Sequence, residues 1–501
     1  MAGASPLTTR ADTFNYLVLW EDYTDLDVFR VGDVYYYSSS TFAFSPGAPV
    51  LKSYDLINWT SVSHSIPTLN FGSQYDLNGS RAYVKGVWAS TLRYRKSTDT
   101  FYWMECISGG QTYIWTASST NAGANNGEVL NWDWKARGTI PRCYYDNGLL
   151  IDDDDTMYMV YGSTKIMVAQ LSKDSLSEVK TQQILVDSIA GPLSNAGNAH
   201  HGGIVDTKDG KWYYVAFLDS YPGGRISVVA PLTWSADGWP SVVRVDNEWG
   251  KFYPMPVKTS KTVPPPTGLD TFKGSSLSAE WGWNHNPDTS RFSLLGGSGG
   301  LRLRTATVTN DLFSARNTLT HRILGPKSSE TFRLDISKMS DGDCAGAILF
   351  RDVAAYIGMH KEGGNAKLVM VNNLNLNSDW TTNSTGSVAA TGPTIAASST
   401  DLWLSVQSDI TPAFGTSTSR ASTFWYSTDG NTFTQLGATF LMTNTWQFFT
   451  GYRFGVLNFA TKALGGKITL KSFELKALQF RASKDCQFWL VVGAIATRKF
   501  K

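Results

Sequence analysis

Cysteine is scarce in this chain. Four residues, Cys106, Cys143, Cys344 and Cys486, are spread over 501 positions without a CxxC pair, which argues against a thiolate metal framework. Cys106 and Cys143 are the pair able to join in an oxidising compartment. The six histidines form no HExxH motif. Charge is thin as well: 17% of residues are charged and the net charge is +2, so nothing points to nucleic acid or a membrane surface as partner. The apolar run Phe488–Ala496 is too short to span a bilayer as a helix. Met1–Arg10 lacks the apolar core of a secretory signal, so no signal peptide is read in this chain. Aromatic residues and glycine are what the chain does hold: 18 Trp, 22 Tyr, 25 Phe and 45 Gly. With few long amphipathic periods, that composition reads as all-β. Strand packing accounts for most of the rings, and stacking on sugars is the sharper use. The length suggests two domains.

Composition also marks the boundaries. Residues 258–268 (KTSKTVPPPTG) form a polar, proline-rich linker, whose three consecutive prolines should hold the chain extended and keep two domains apart. Before it, in residues 1–257, a polar turn followed by an aromatic strand recurs: GDVYYYSSS around Tyr36, TDTFYWMEC around Tyr102, DDTMYMVYG around Tyr158 and DGKWYYVAF around Tyr213. The intervals are 66, 56 and 55 residues. Repeats of that size, with several short strands each, predict a β-propeller, whose ring leaves no open sheet edge. After the linker, residues 269–477 alternate polar and apolar positions (LRLRTATV, DLWLSVQSD, KITLKSFEL), as two packed sheets require. Residues 478–501 fit neither pattern. Three N-x-S/T sequons, at Asn58, Asn78 and Asn383, accord with secretion.

Several motifs in the first domain occur in a fixed order. They are LWEDYTDLDVFRVGDVYYY at the start, SYDLINW from Ser53 to Trp59, GVWAS from Gly86 to Ser90, CYYDNGLLIDDDDTMYMVYG from Cys143 to Gly162, and HHGGIVDTKDGKWYYVAF with Gly223-Gly224-Arg225. This series resembles glycoside hydrolase family 43, and LSAEWGWNHNPD near Trp281 resembles the sandwich appended to its xylosidase and arabinofuranosidase members. The resemblance implies a five-bladed propeller joined to a concanavalin-like β-sandwich. It further implies a secreted, extracellular enzyme acting on plant cell-wall polysaccharide such as arabinoxylan or arabinan. No cofactor is required by it, and a structural calcium is an option.

Inverting glycosidases need two carboxyl groups about 6.5–9.5 Å apart, one ionised to activate water and one protonated for the leaving oxygen. A third carboxylate can tune the acid. By motif, Asp25 matches the general base. Asp22 and Asp27 are neighbours that can be mistaken for it, and the place relative to Arg30-Val31-Gly32-Asp33 favours Asp25. Asp146 matches the pKa-modulating carboxylate. The run Asp152–Asp155 reads as a solvated hairpin turn. No general-acid glutamate is found: where the family has a segment like LEGxxxY, this chain has IAGPLSNAGNAHHGG, with Ser194 after Leu193. Four aromatic strands against five blades say the same, so about one repeat is missing between Leu193 and Asn198, by deletion or by a mistaken splice. Asp187 and Asp219 are the substitute acids to consider. Phe42 and Trp88 match pocket walls, though either can serve blade packing. Arg225 matches the pocket arginine, with a surface salt bridge as its plainer role. His200 aligns with a histidine at a calcium or water site on the propeller axis, although calcium prefers oxygen ligands.

Three functions compete. An exo-acting arabinofuranosidase or xylosidase leads, and its acid loss predicts poor activity. An endo-arabinanase needs an open groove. A carbohydrate-binding pseudoenzyme would keep the pocket without turnover.

Overall fold

The computed structural model describes residues 12–186 and 199–478, and among them every element beyond a short 3₁₀ turn is a strand. The tail after Leu478 and the Leu193 junction lie outside the described residues.

The first domain holds four antiparallel sheets arranged as propeller blades, spanning Asp27–Ile66, Thr91–Ile140, Gly148–Val186 and His200–Val242, the first three four-stranded and the last five-stranded. Each recurring aromatic segment is the second strand of its sheet: Val34–Ser38, Thr100–Cys106, Met157–Tyr161 and Trp212–Asp219. Buried rings such as Tyr36, Phe101 and Trp103 pack blade upon blade. The start of the chain clips onto the last blade, where Leu17–Leu19 pairs with Arg225–Trp234, and Thr13–Asn15 pairs with Phe252–Pro254.

Specific contacts join neighbouring inner strands. Arg30 pairs with Asp206 at 2.5 Å across the last and first blades. Asp27 accepts the Leu92 amide and the Thr91 hydroxyl (3.0 and 2.8 Å) across the first and second, and Thr91 in turn accepts the Leu149 amide of the third at 2.9 Å. No comparable packing joins Gly148–Ile151 to His200–Asp206 among the described residues. Leu150, Val179 and Ile184 of the third blade and Ile204 of the last are exposed, as strands without a neighbouring sheet would be. The described residues thus form four blades, and the five-bladed ring that the resemblance implies is not present among them.

The second domain is a sandwich of two antiparallel sheets. Strand Lys327–Asp335 alternates half-buried and buried positions without exception, and Phe332 and Leu334 meet Leu404, Ile357 and Val456 in the core between the sheets. One residue on that inner face breaks the rule. Glu330 is fully buried, neither carboxyl oxygen has a partner, and burial pushes its pKa well above the ordinary range. With its folded-state pKa above the unfolded one, its contribution is most favourable below the unfolded value and is lost as pH rises. Glu330→Met is therefore expected to stabilise the protein by about 1–3 kcal/mol at neutral pH, with a smaller gain at pH ~4. Denaturant melts at the two pH values check this.

The linker is irregular as expected, but it does not keep the domains apart. Phe44–Ser45 of the propeller extends a sandwich sheet by pairing with Trp283–Asn284. Arg81 forms an ion pair with Asp311 at 2.5 Å, His285 Nε2 accepts the Ala82 amide at 2.9 Å, and Asn286 hydrogen-bonds both backbone groups of Leu69. Apolar and charged surface was available on both sides of the linker, and its burial outweighs the stiffness of three prolines.

Candidate active site

Asp22, Asp25 and Asp27 lie within one short segment, and their partners separate their roles. Asp27 is taken up by the second blade, through Leu92, Thr91 and an ion pair with Arg93. Asp22 is 3% exposed, and its two oxygens accept the Arg225 amide of the last blade and the Gly451 amide of the sandwich, both at 2.9 Å. Asp25 is left to a cluster of polar and charged side chains. Its Oδ1 pairs with Arg225 Nη1 at 2.8 Å, its Oδ2 accepts the Ser40 hydroxyl at 2.8 Å, and His201 Nδ1 stands 3.7 Å from Oδ1.

Asp146 joins this cluster. Burial raises its pKa, the charge of Asp25 raises it further, and His201 and Arg225 oppose the rise. Asp25 and Asp146 therefore share one electrostatic environment, in which His201 and Arg225 offset their negative charge. Arg225 is no surface salt bridge: its side chain is 11% exposed, it also reaches Asp219 at 3.2 Å, and its guanidinium lies over Phe217 at 4.9 Å. Asp219 thereby orients the arginine. Asp187 lies outside the described residues.

Phe42 is 5% exposed and stacks on Phe449 at 5.5 Å, so it supports the pocket from within the packing. Phe449 comes from the sandwich, sits under Arg225 at 5.5 Å, and meets the exposed Trp446 edge-on. The second domain thus lines one side of the site. Trp88 is half-buried, and its ring meets Tyr145 edge-on at 6.5 Å. Gly86 explains part of the GVWAS motif: at φ 101°, a Cβ there would lie 2.5 Å from the Phe42 carbonyl, which bridges to Val87. Gly224 does the same for the Gly-Gly-Arg motif, because a Cβ would lie 2.1 Å from Asp22 Oδ1. Asp25, Phe42, Asp146 and His201 all hold left-handed backbone (φ 50°, 53°, 48° and 48°), and conformations of this kind concentrate at functional sites.

The exposed His200 ring packs edge-on against Phe217 at 4.7 Å; among the described residues no group of three His, Cys, Asp or Glu suited to a metal occurs. The next residue, His201, turns toward Asp25 because the strand is irregular between His200 and Gly203 and its backbone is left-handed there. The Asp152–Asp155 run turns between two strands, and Asp155 pairs with Arg95 at 2.6 Å. Sequence reading missed His201, Tyr145, Phe449 and Glu105. His201 had a signal in the doubled histidine, whereas Phe449 had none, because its contact spans the two domains. Cys106 and Cys143 are disulfide-bonded and tether the second blade three residues before Asp146.

Comparison with known proteins agrees with this architecture. A model of glycosyl hydrolases family 43 matches residues 15–197, and a model of the β-xylosidase C-terminal concanavalin A-like domain matches residues 269–476. The first match ends where the motif order skips, before the last blade. A solved structure of a GH43 glycoside hydrolase, engineered to display both endo-xylanase and exo-arabinofuranosidase activity, is 55% identical; the superposition has a TM-score of 0.88 and covers 93% of this chain and 100% of that one. A β-xylosidase of Formosa agariphila is 26% identical over 559 residues, covering 91% of this chain and 89% of the relative. That span exceeds the whole of this chain, so the relative carries segments that this one lacks. A non-reducing end α-L-arabinofuranosidase of Bacteroides ovatus is 26% identical over 347 residues, covering 57% of this chain and 64% of the relative. On these matches, and on the four blades and sandwich that carry its motifs, the chain belongs to glycoside hydrolase family 43.

Proposed function

We propose that the cluster of Asp25, Asp146, His201 and Arg225 binds the terminal arabinofuranosyl or xylosyl group of arabinoxylan, with Asp25 as general base and Asp146 as the carboxylate that tunes the acid. The observation that carries this reading is the pairing of Asp25 with Arg225, with the partly buried Asp146 in the same charged cluster. Ser40 and Arg225 orient the Asp25 oxygens toward a water, as single-step inversion requires. No cofactor enters the reading. The missing repeat between Leu193 and Asn198 would have carried the acid, so binding should survive better than turnover. Phe449, set on Phe42 from the sandwich, favours a closed-ended pocket over the open groove of an endo-arabinanase. An extracellular setting is supported by the Cys106–Cys143 disulfide.

Calorimetric titration with arabinose-substituted xylo-oligosaccharides tests the pocket. The wild-type chain is expected to bind them, and Arg225→Met to bind about tenfold more weakly or worse, because a buried hydroxyl partner is lost. Failure of the wild-type chain to bind either arabinosyl or xylosyl ends would remove the reading.

A further inference from the structure

Behind the Trp88 wall lies a carboxyl that the chemistry above does not use. Glu105, near the end of strand Thr100–Cys106, is 1% exposed. Its Oε1 accepts the Trp88 amide at 2.5 Å, and its Oε2 is buried without a partner. The Trp88 indole is fixed in turn, donating to the Val84 carbonyl at 3.0 Å and meeting Tyr145 edge-on. The residue after Glu105 is Cys106, whose disulfide leads to Cys143 and so to Tyr145-Asp146. Through the Trp88 amide, the Trp88–Tyr145 ring contact and the disulfide of the adjoining Cys106, Glu105 is thus linked to the segment that leads into Asp146.

We propose that Glu105 is a positioning residue of the pentose pocket, which holds the Trp88 amide and through Trp88 and Tyr145 sets the wall beside Asp146. The proposal rests on the pocket reading given above. Glu105 acts as a neutral acid. Asp25 and Asp146 both present negative charge to it, Tyr75 is its other titratable neighbour, and only the Trp88 amide favours its anion. Burial is the largest cause of its raised pKa and the two aspartates add to it. An ionised Glu105 would be a buried anion facing two others, and would loosen the wall.

Two variants and two readouts test this. Hydrogen exchange of the peptide containing Trp88 reports positioning without any sugar, and titration with an arabinose-substituted xylo-oligosaccharide across about pH 5–9 reports the pocket. Glu105→Ala should speed exchange at Trp88 and weaken binding, each by about tenfold. Glu105→Gln, neutral and of the same shape, should match the parent in both. The parent's affinity should fall toward alkaline pH more steeply than that of the Gln variant. Unchanged exchange in the Ala variant overturns the proposal, as does a Gln variant as impaired as the Ala one or a pH profile identical to the parent's. If the parent itself binds no sugar, the pocket reading falls and the exchange measurements alone decide the positioning.

Discussion

A dinitrophenyl arabinofuranoside, whose leaving group needs no proton, is expected to be hydrolysed by this chain, while arabinose release from arabinoxylan lags that of a relative with a complete carboxyl set by about 10²–10⁴. The two substrates differ in one step, protonation of the leaving oxygen, for which no general-acid glutamate is read in the sequence. Water activation depends on Asp25, held by Arg225 and Ser40, and is needed for both. Protonation of the departing oxygen is needed only when that oxygen belongs to a sugar. Among the described residues no third carboxyl stands free to do it: Asp219 is engaged by Arg225, Glu105 is sealed behind Trp88, and Asp27 and Asp22 are bound into the blades and the domain interface. Asp25→Asn should abolish the dinitrophenyl reaction as well. Turnover of arabinoxylan comparable with that of the activated substrate would show that an acid is present after all, and the missing-repeat account would be wrong.

Much of this was legible in the sequence because the propeller repeats its local physics. A turn and an aromatic strand recur at each blade, so Tyr36, Tyr102, Tyr158 and Tyr213 foretold four second strands. Asp25, Asp146 and Arg225 were readable because each stands in an ordered motif just before or at the start of a strand. What stayed hidden depended on contacts between distant segments. Phe449 reaches Phe42 across the domain boundary, and no local pattern announces such a meeting. The proline run was read for its stiffness, which says nothing of the surfaces it joins; Arg81, His285 and Asn286 decided that question. Glu105 lies within the aromatic strand motif TDTFYWMEC, but nothing local marks it, since burial of a carboxyl is a tertiary property.

Asp22→Ala is expected to cost about 3–5 kcal/mol of stability and to weaken sugar binding in the same protein. The carboxylate is buried at the point where three parts of the chain converge. One oxygen takes the amide of Arg225, whose side chain grips Asp25, and the other takes the amide of Gly451, two residues beyond Phe449. Arg322 donates to the Asp22 carbonyl at 2.8 Å and lies over the Tyr23 ring at 3.9 Å, and Arg453 lies over Phe44 at 3.7 Å. Burial lowers the Arg453 pKa to about 9, with Arg322 lowering it further and Asp22, Tyr23 and Glu21 opposing, so the arginine stays charged at neutral pH with Asp22 among the charges that favour it. Removing Asp22 leaves two amides without acceptors and a buried guanidinium short of a counter-charge, which are the costliest kinds of loss in a folded interior. Asp22→Asn, which keeps one acceptor but not the charge, should fall between parent and Ala variant. The midpoint of denaturant unfolding and the affinity for an arabinose-substituted xylo-oligosaccharide should move together, because one side chain ties the sandwich loop to the pocket arginine. A loss of stability with affinity unchanged would sever that link and reduce Asp22 to an interface anchor.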